Sequence, residues 1–163
     1  MKIKSFIAAA ALVVAAIPSF ATTITLTQSP TNSANYTGGF NISHTAAFTD
    51  TYTFLPVLPS SSVTASLISI GLASQNINFT NVTLNGRKLD LVNGFVDTAV
   101  TSDEWKLFGP LTLIVSGTSG TNASYAGTIN VTAVPEPETF AMLGAGLALV
   151  GFAARRRKAA NQA

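Results

Sequence analysis

Covalent catalysis needs nucleophiles and proton carriers, and this 163-residue chain has few, with no cysteine and a single histidine, His44. The absence of cysteine removes a thiol nucleophile, a thiolate zinc site, an iron–sulfur cluster and any disulfide. A serine nucleophile would need His44 as its base, yet the sequence has no Gly-x-Ser-x-Gly turn, and His44 lies in Asn41-Ile42-Ser43-His44-Thr45, which alternates like a strand. His44 is therefore expected to be a surface or hydrogen-bonded strand residue. The acids Asp97, Asp103 and Glu104 come nearest to a calcium cluster or a glycosidase pair. A strand end separates Asp97 from the Asp-Glu pair, and no Asp-x-Asp-x-Asp-Gly loop is present, so a solvated turn is the expectation. No cofactor and no metal are expected. The aromatics Trp105, Tyr36, Tyr52 and Tyr125 are the side chains on which a lectin-like domain would stack a sugar.

One acidic residue stands apart. In Phe48-Thr49-Asp50-Thr51-Tyr52-Thr53-Phe54, strand geometry puts Phe48, Asp50, Tyr52 and Phe54 on one face and the three threonines on the other. If the aromatic face is core, Asp50 must be paired or hydrogen-bonded, because an unpaired buried carboxylate costs several kcal/mol. Candidate partners are Arg87, Lys88, Lys106, a backbone amide or a hydroxyl.

The elements that would position these residues are strands. Val63 to Ile70, Ile77 to Leu84 and Leu111 to Val115 are rich in β-branched and aromatic residues, and each is bounded by Gly, Pro, Asn or Ser. Asn85-Gly86 predicts a two-residue type I′ hairpin into Arg87–Val92, and Asn93-Gly94 a second turn into Phe95–Val100, giving an antiparallel meander. Asp103-Glu104-Trp105-Lys106 could open a helical turn that Gly109-Pro110 would end. A last strand from Ala123 runs into a proline-containing stem. Short strands with frequent turns predict an all-β domain, a single antiparallel β-sandwich of jelly-roll-like form over residues 22–133.

The two ends read differently from the middle. Lys2 and Lys4, an apolar run from Phe6 to Ile17, Pro18 and the small-x-small Ser19-Phe20-Ala21 make residues 1–21 an expected signal peptide, with the mature chain starting at Thr22. At the other end, Val134-Pro135-Glu136-Pro137 should be extended and exposed, since two prolines fix φ and remove two donors. A run without charge from Thr139 to Ala154 follows, then Arg155-Arg156-Arg157-Lys158, a stop-transfer cluster expected on the cytoplasmic side. Sixteen helical residues at about 1.5 Å each reach roughly 24 Å, short of a hydrocarbon core of about 30 Å. A short C-terminal transmembrane helix is expected, marginal as a permanent anchor. Six of the nine basic residues lie in these terminal segments, so the middle carries three basic residues against five acids, a net charge of −2. Such a body, with no basic patch, argues against nucleic acid as a partner.

Val-Pro-Glu-Pro, a small-residue-rich helix and a terminal arginine cluster together resemble the PEP-CTERM sorting signal of exported proteins in Gram-negative bacteria that make extracellular polysaccharide. The resemblance covers residues 134–163. It implies signal peptidase and exosortase as processing partners, transient insertion in the inner membrane, and a final place at the cell surface or outside the cell. The Phe48, Asp50, Tyr52, Phe54 pattern is similar to the motif of the FxDxF family of PEP-CTERM proteins, which carries no catalytic residues to transfer. The expected function is that of a non-catalytic surface or extracellular-matrix protein associated with exopolysaccharide or biofilm. A small secreted glycan-active enzyme or a lectin-like carbohydrate-binding module on the same signal is the alternative.

Overall fold

A computed structural model of the chain describes residues 19–71, 75–135 and 137–160, and side chains except those of 137–139 and 156–160. Of the expected signal peptide, residues 1–18 therefore lie outside the described residues. The alternating segments are strands: β1 (Ser19–Thr25), β2 (Thr27–Gln28), β3 (Asn35–His44), β4 (Phe48–Ile70), β5 (Ile77–Leu84), β6 (Arg87–Lys88), β7 (Asp90–Val92), β8 (Val96–Val100), β9 (Trp105–Ser119) and β10 (Ala123–Ala133). A helix, α1 (Pro137–Ala160), follows.

All ten strands are connected in one sheet along the path β2-β3-β10-β4-β9-β5-β6, with β1 and β8 also on β4 and β7 on β8. Pairing is antiparallel apart from β1 on β4. The architecture is thus all-β and antiparallel as expected, but the strands are not divided into the two separate sheets of a sandwich. The reason is β4, which pairs with β1 and β9 from its start and with β10 and β8 toward its end, β9 and β10 flanking it together at Ser61, Ser62 and Val63.

The β4–β9 ladder explains how proline can sit inside two long strands. Its register runs from Phe54↔Leu111 to Ser60↔Phe108 with shifts on either side of Leu58. Pro56, Pro59 and Pro110 all fall in this irregular stretch, where the regular ladder bonds are already interrupted and a missing N–H is tolerated. Gly109, at φ 68°, provides the left-handed residue there. The helical turn expected at Asp103–Lys106 does not form. Trp105 instead opens β9 opposite Val63, because Trp105 and Leu107 alternate inward into the core and this burial outweighs a local turn preference.

Asn85 and Gly86, at φ 48° and 80°, make the expected tight turn between β5 and β6. Asn85 is also tied to β9, accepting from the Thr112 N–H at 2.7 Å and donating to the Pro110 carbonyl at 3.1 Å. Arg87 to Val92 is one extended run that pairs first with β5, then with β8.

Inward residues form one core whose largest enclosed side chains include Tyr125, Phe48, Phe54 and Phe79. Two glycines make room for rings. A methyl on Gly127 would collide with the Phe40 ring, and one on Gly117 would lie 2.8 Å from both Phe48 and the Asn78 carbonyl. On α1, by contrast, the large apolar side chains from Phe140 to Phe152 are 62 to 75% exposed. Among the described residues no helix is long and apolar enough to cross a membrane, so the transmembrane helix of the sequence reading is not supported. Charged ends and three glycines leave too short an apolar stretch within α1.

Candidate functional site

Strand alternation brings three elements together around Asp50. On β10, Ala123, Tyr125, Gly127, Ile129 and Val131 face inward, and on β4 so do Phe48, Asp50, Tyr52 and Phe54. The β3–β10 register pairs His44 with Ala123 and Ile42 with Tyr125, which places the imidazole beside the Tyr125 ring. The result is a chain of four hydrogen-bonding groups. Tyr125 donates its hydroxyl to Asp50 Oδ2 at 2.6 Å, His44 Nε2 meets the same oxygen at 2.7 Å, and the Tyr52 and Tyr125 hydroxyls lie 2.8 Å apart.

Aromatic packing encloses this network. The His44 ring stacks on Phe48 with centroids 3.8 Å apart and an interplanar angle of 3°, while Phe40 stacks on Tyr52 at 4.2 Å. Phe79 meets Tyr125 edge-on at 5.6 Å. The Ser119 hydroxyl donates to the His44 carbonyl at 2.7 Å, fixing the end of β3. Asp50 Oδ1 is buried and has no hydrogen-bond partner among the described residues.

The arrangement has the form of a proton relay, Tyr52 to Tyr125 to Asp50 to His44. Its members are nevertheless only 1 to 5% exposed. Burial pushes the Tyr52 phenol up to about 12; its hydrogen bond with Tyr125 works the other way and the Asp50 charge adds to the rise. Tyr125 is raised still further, first by burial and then by its bond to Asp50. Both phenols therefore stay protonated at neutral pH, as donors rather than nucleophiles. What this geometry does chemically is satisfy a buried acid and lock three strands in register.

The core placement of Phe48, Asp50, Tyr52 and Phe54 follows the face read from the sequence. Asp50 is held by a hydroxyl, one of the anticipated partners, but also by His44, which was not among them. The clue was available in Asn41-Ile42-Ser43-His44, where alternation puts His44 on the same side as Ile42. Of the anticipated cations, Lys88 and Lys106 are exposed, and Arg87 lies over the Trp105 ring at 4.3 Å.

The remaining candidates do not converge. Asp97 is fully buried on β8 and accepts from the Gly94 N–H at 2.9 Å, whereas Asp103 and Glu104 are exposed before β9. No group of three or more His, Cys, Asp or Glu that could hold a metal occurs among the described residues. Trp105, Tyr52 and Tyr125 are 3% exposed or less, and so are not available to stack on a sugar at the surface; Tyr36 is half-buried.

In the stem, the Val134 N–H donates to the Ser60 carbonyl at 3.0 Å, Pro135 is exposed and Pro137 begins α1. Glu136 lies outside the described residues. Arg155 is exposed on α1; Arg156, Arg157 and Lys158 continue the helix, with side chains outside the described residues.

Residues 133–158 match a family model, the PEP-CTERM protein-sorting motif. This chain therefore carries a sorting signal that implies an exported protein of a Gram-negative cell envelope, processed by exosortase. No curated protein matches the chain. Among solved structures it is similar to a crystal structure of Aeromonas hydrophila PliG, a periplasmic lysozyme inhibitor of g-type lysozyme, with 15% identity over 70% of this chain and 97% of that one and a TM-score of 0.33.

Proposed function

We propose that the chain is a non-catalytic surface protein, delivered through its sorting tail to extracellular polymer such as exopolysaccharide or a biofilm matrix. The observation that carries the reading is the sorting motif, joined directly to the last strand of the domain. The enclosure of the network supports the non-catalytic part. The one histidine and its carboxyl partner spend their hydrogen bonds inside the core, and the exposed acids stand apart from them.

The apolar side chains of α1 from Phe140 to Phe152, exposed in the structure, suit a short-lived contact with the membrane during processing, although α1 is not long and apolar enough to cross it. Removal of residues 1–21 by signal peptidase would leave Thr22 to Thr25 of β1 paired with β4 through Tyr52 to Leu55.

Mass spectrometry of membrane and secreted fractions, from cells with and without exosortase, tests the reading. The secreted form should begin at Thr22 and lack Phe140 to Lys158. Accumulation of uncut protein in cells with intact exosortase would sink it. Turnover of glycan, ester or peptide by the mature protein would overturn the non-catalytic part.

A further inference from the structure

We infer that the outer face of β3, β10 and β4 is a binding surface for neutral polysaccharide, centred on a cleft at the end where β10 begins. The inference rests on the reading of the chain as a polymer-associated surface protein and gives that association a place and a ligand class.

Register fixes what this face displays. Ser43 on β3 lies opposite Ser124 on β10, and Asn41 opposite Ala126, which is itself opposite Ile68 on β4. The next rows toward the stem set Gly39, Thr128 and Ser66 side by side, then Thr37, Asn130 and Thr64. Strands about 4.8 Å apart with like-facing residues about 6.7 Å apart make a lattice of hydroxyls and amides. A cleft of about 390 Å³ opens over the first rows, lined by Asn41, Ser43, Ile68, Ile70, Ser124 and Ala126. That volume falls in the usual range for small-molecule sites.

Charge selects the ligand. None of the outward residues on these three segments is ionisable; Asp97, opposite Ser69, is buried on the inner side, and the nearest ionisable side chains on the outer face by register are Lys106, opposite Ser62, and Asp90, opposite Val100. A uronate or sulfated polymer would find no counter-charge here, whereas a neutral sugar exchanges hydroxyl for hydroxyl. The side chains of Asn41, Ser43 and Ser124 make no hydrogen bond within the described residues, so their donors and acceptors are free for a ligand. Ile68 and Ile70, 44 and 73% exposed, offer the apolar patch that the C–H face of a pyranose ring covers. Ser66 and Thr128 already bond to each other at 3.1 Å, which holds the platform beside the cleft.

The test uses the mature secreted protein and its binding to dextran and galactomannan, with polygalacturonate as an acidic counterpart, read by affinity electrophoresis and NMR titration. Binding to at least one neutral polymer, and not to polygalacturonate, is expected. Ala126→Arg, an exposed position in the middle of the cleft, should weaken it by about tenfold or more, as loss of a central contact does. Thr80→Arg, exposed on β5, should leave it unchanged. Unfolding midpoints of both variants would verify folding, and Ser43→Lys serves as a second blocking variant. Absence of binding to every neutral polymer, equal binding to polygalacturonate, or retention of affinity in both cleft variants would overturn the inference. Self-association through this face, seen as a dimer that Ala126→Arg dissolves, would overturn it too. Failure here with correct export and tail processing would leave the sorting reading intact; failure of both would not.

Discussion

The energy held by the buried network is measurable as a double-mutant cycle between Asp50 and Tyr125. Tyr125→Phe leaves the ring and its packing in place and removes one hydroxyl, which donates at 2.6 Å to Asp50 and lies 2.8 Å from Tyr52. A buried group left without its partner costs about 1–3 kcal/mol, and two groups are affected, less the relief from burying one hydroxyl fewer; we expect about 2–4 kcal/mol. Asp50→Asn preserves shape but introduces an amide NH2. Whichever way the amide turns, that NH2 either opposes the Tyr125 donor or takes the buried Oδ1 position, which has no partner among the described residues, so the expected loss is again about 2–4 kcal/mol. The two substitutions share one bond, and the double variant should lose less than the sum by about 1–2 kcal/mol. With about 4 °C of midpoint per kcal/mol for a domain of this size, each single variant should melt about 8–16 °C below the parent. Urea and thermal unfolding of the mature protein, followed by far-UV circular dichroism, supply both numbers. Single variants within about 0.5 kcal/mol of the parent, or strictly additive losses, would refute the argument that this network holds the three strands together.

Other consequences follow from the same interior and its turns. Because folding raises the phenol of Tyr52 from about 10 to about 12, the folded state binds more protons than the unfolded chain above pH 10. Stability should be complete below that pH and fall as pH climbs toward 12, a decline that denaturation midpoints across pH should show and Tyr52→Phe should reduce. Phenolate absorbance developing fully at pH 10 with the fold intact would contradict it. Gly127→Ala must displace Phe40 from its place over Tyr52 and should cost about 1–3 kcal/mol; an unchanged melting temperature would mean the ring has room to spare. Asn85→Ala loses two bonds to β9 and a residue suited to positive φ, so a loss of about 1–3 kcal/mol is expected from chemical denaturation. Asn85→Gly, which restores the backbone freedom without the side chain, should recover only part of that loss.

Local alternation carried most of the fold into view. Ile77 to Leu84 is a strand with the same bounds in sequence and structure, and Asn85-Gly86 turns as its residue types require, because both are decided by neighbours within a few positions. The long strands were harder to see. Gly109-Pro110 read as a stop, and only its meeting with the Pro56–Pro59 stretch across the β4–β9 register shift lets both strands pass through. Likewise, the inward face at Asp50 was legible, but His44 as its partner was not, since the pairing depends on β3 reaching β4's neighbourhood through β10. Trp105, Tyr52 and Tyr125 misled for a related reason: aromatic type suggests sugar stacking, while burial, a property of the assembled sheet, takes it away.

The placement of the stem gives the outer face its reach. β10 runs from Ala123, beside the cleft, to Ala133, and the stem leaves the domain immediately after, pinned where Val134 bonds to Ser60. At about 3.4 Å per residue, Ser124 and Val134 are separated by roughly 34 Å of strand. A membrane or a processing enzyme holding the stem therefore engages the opposite end of the domain from the cleft. The hydroxyl rows between the two ends would let a polymer chain lie along β10 without approaching the cut site. If the stem and the cleft worked in each other's way, glycan binding by protein that retains its tail in detergent would be weaker than binding by the processed form; the separation along β10 predicts equal affinity for both.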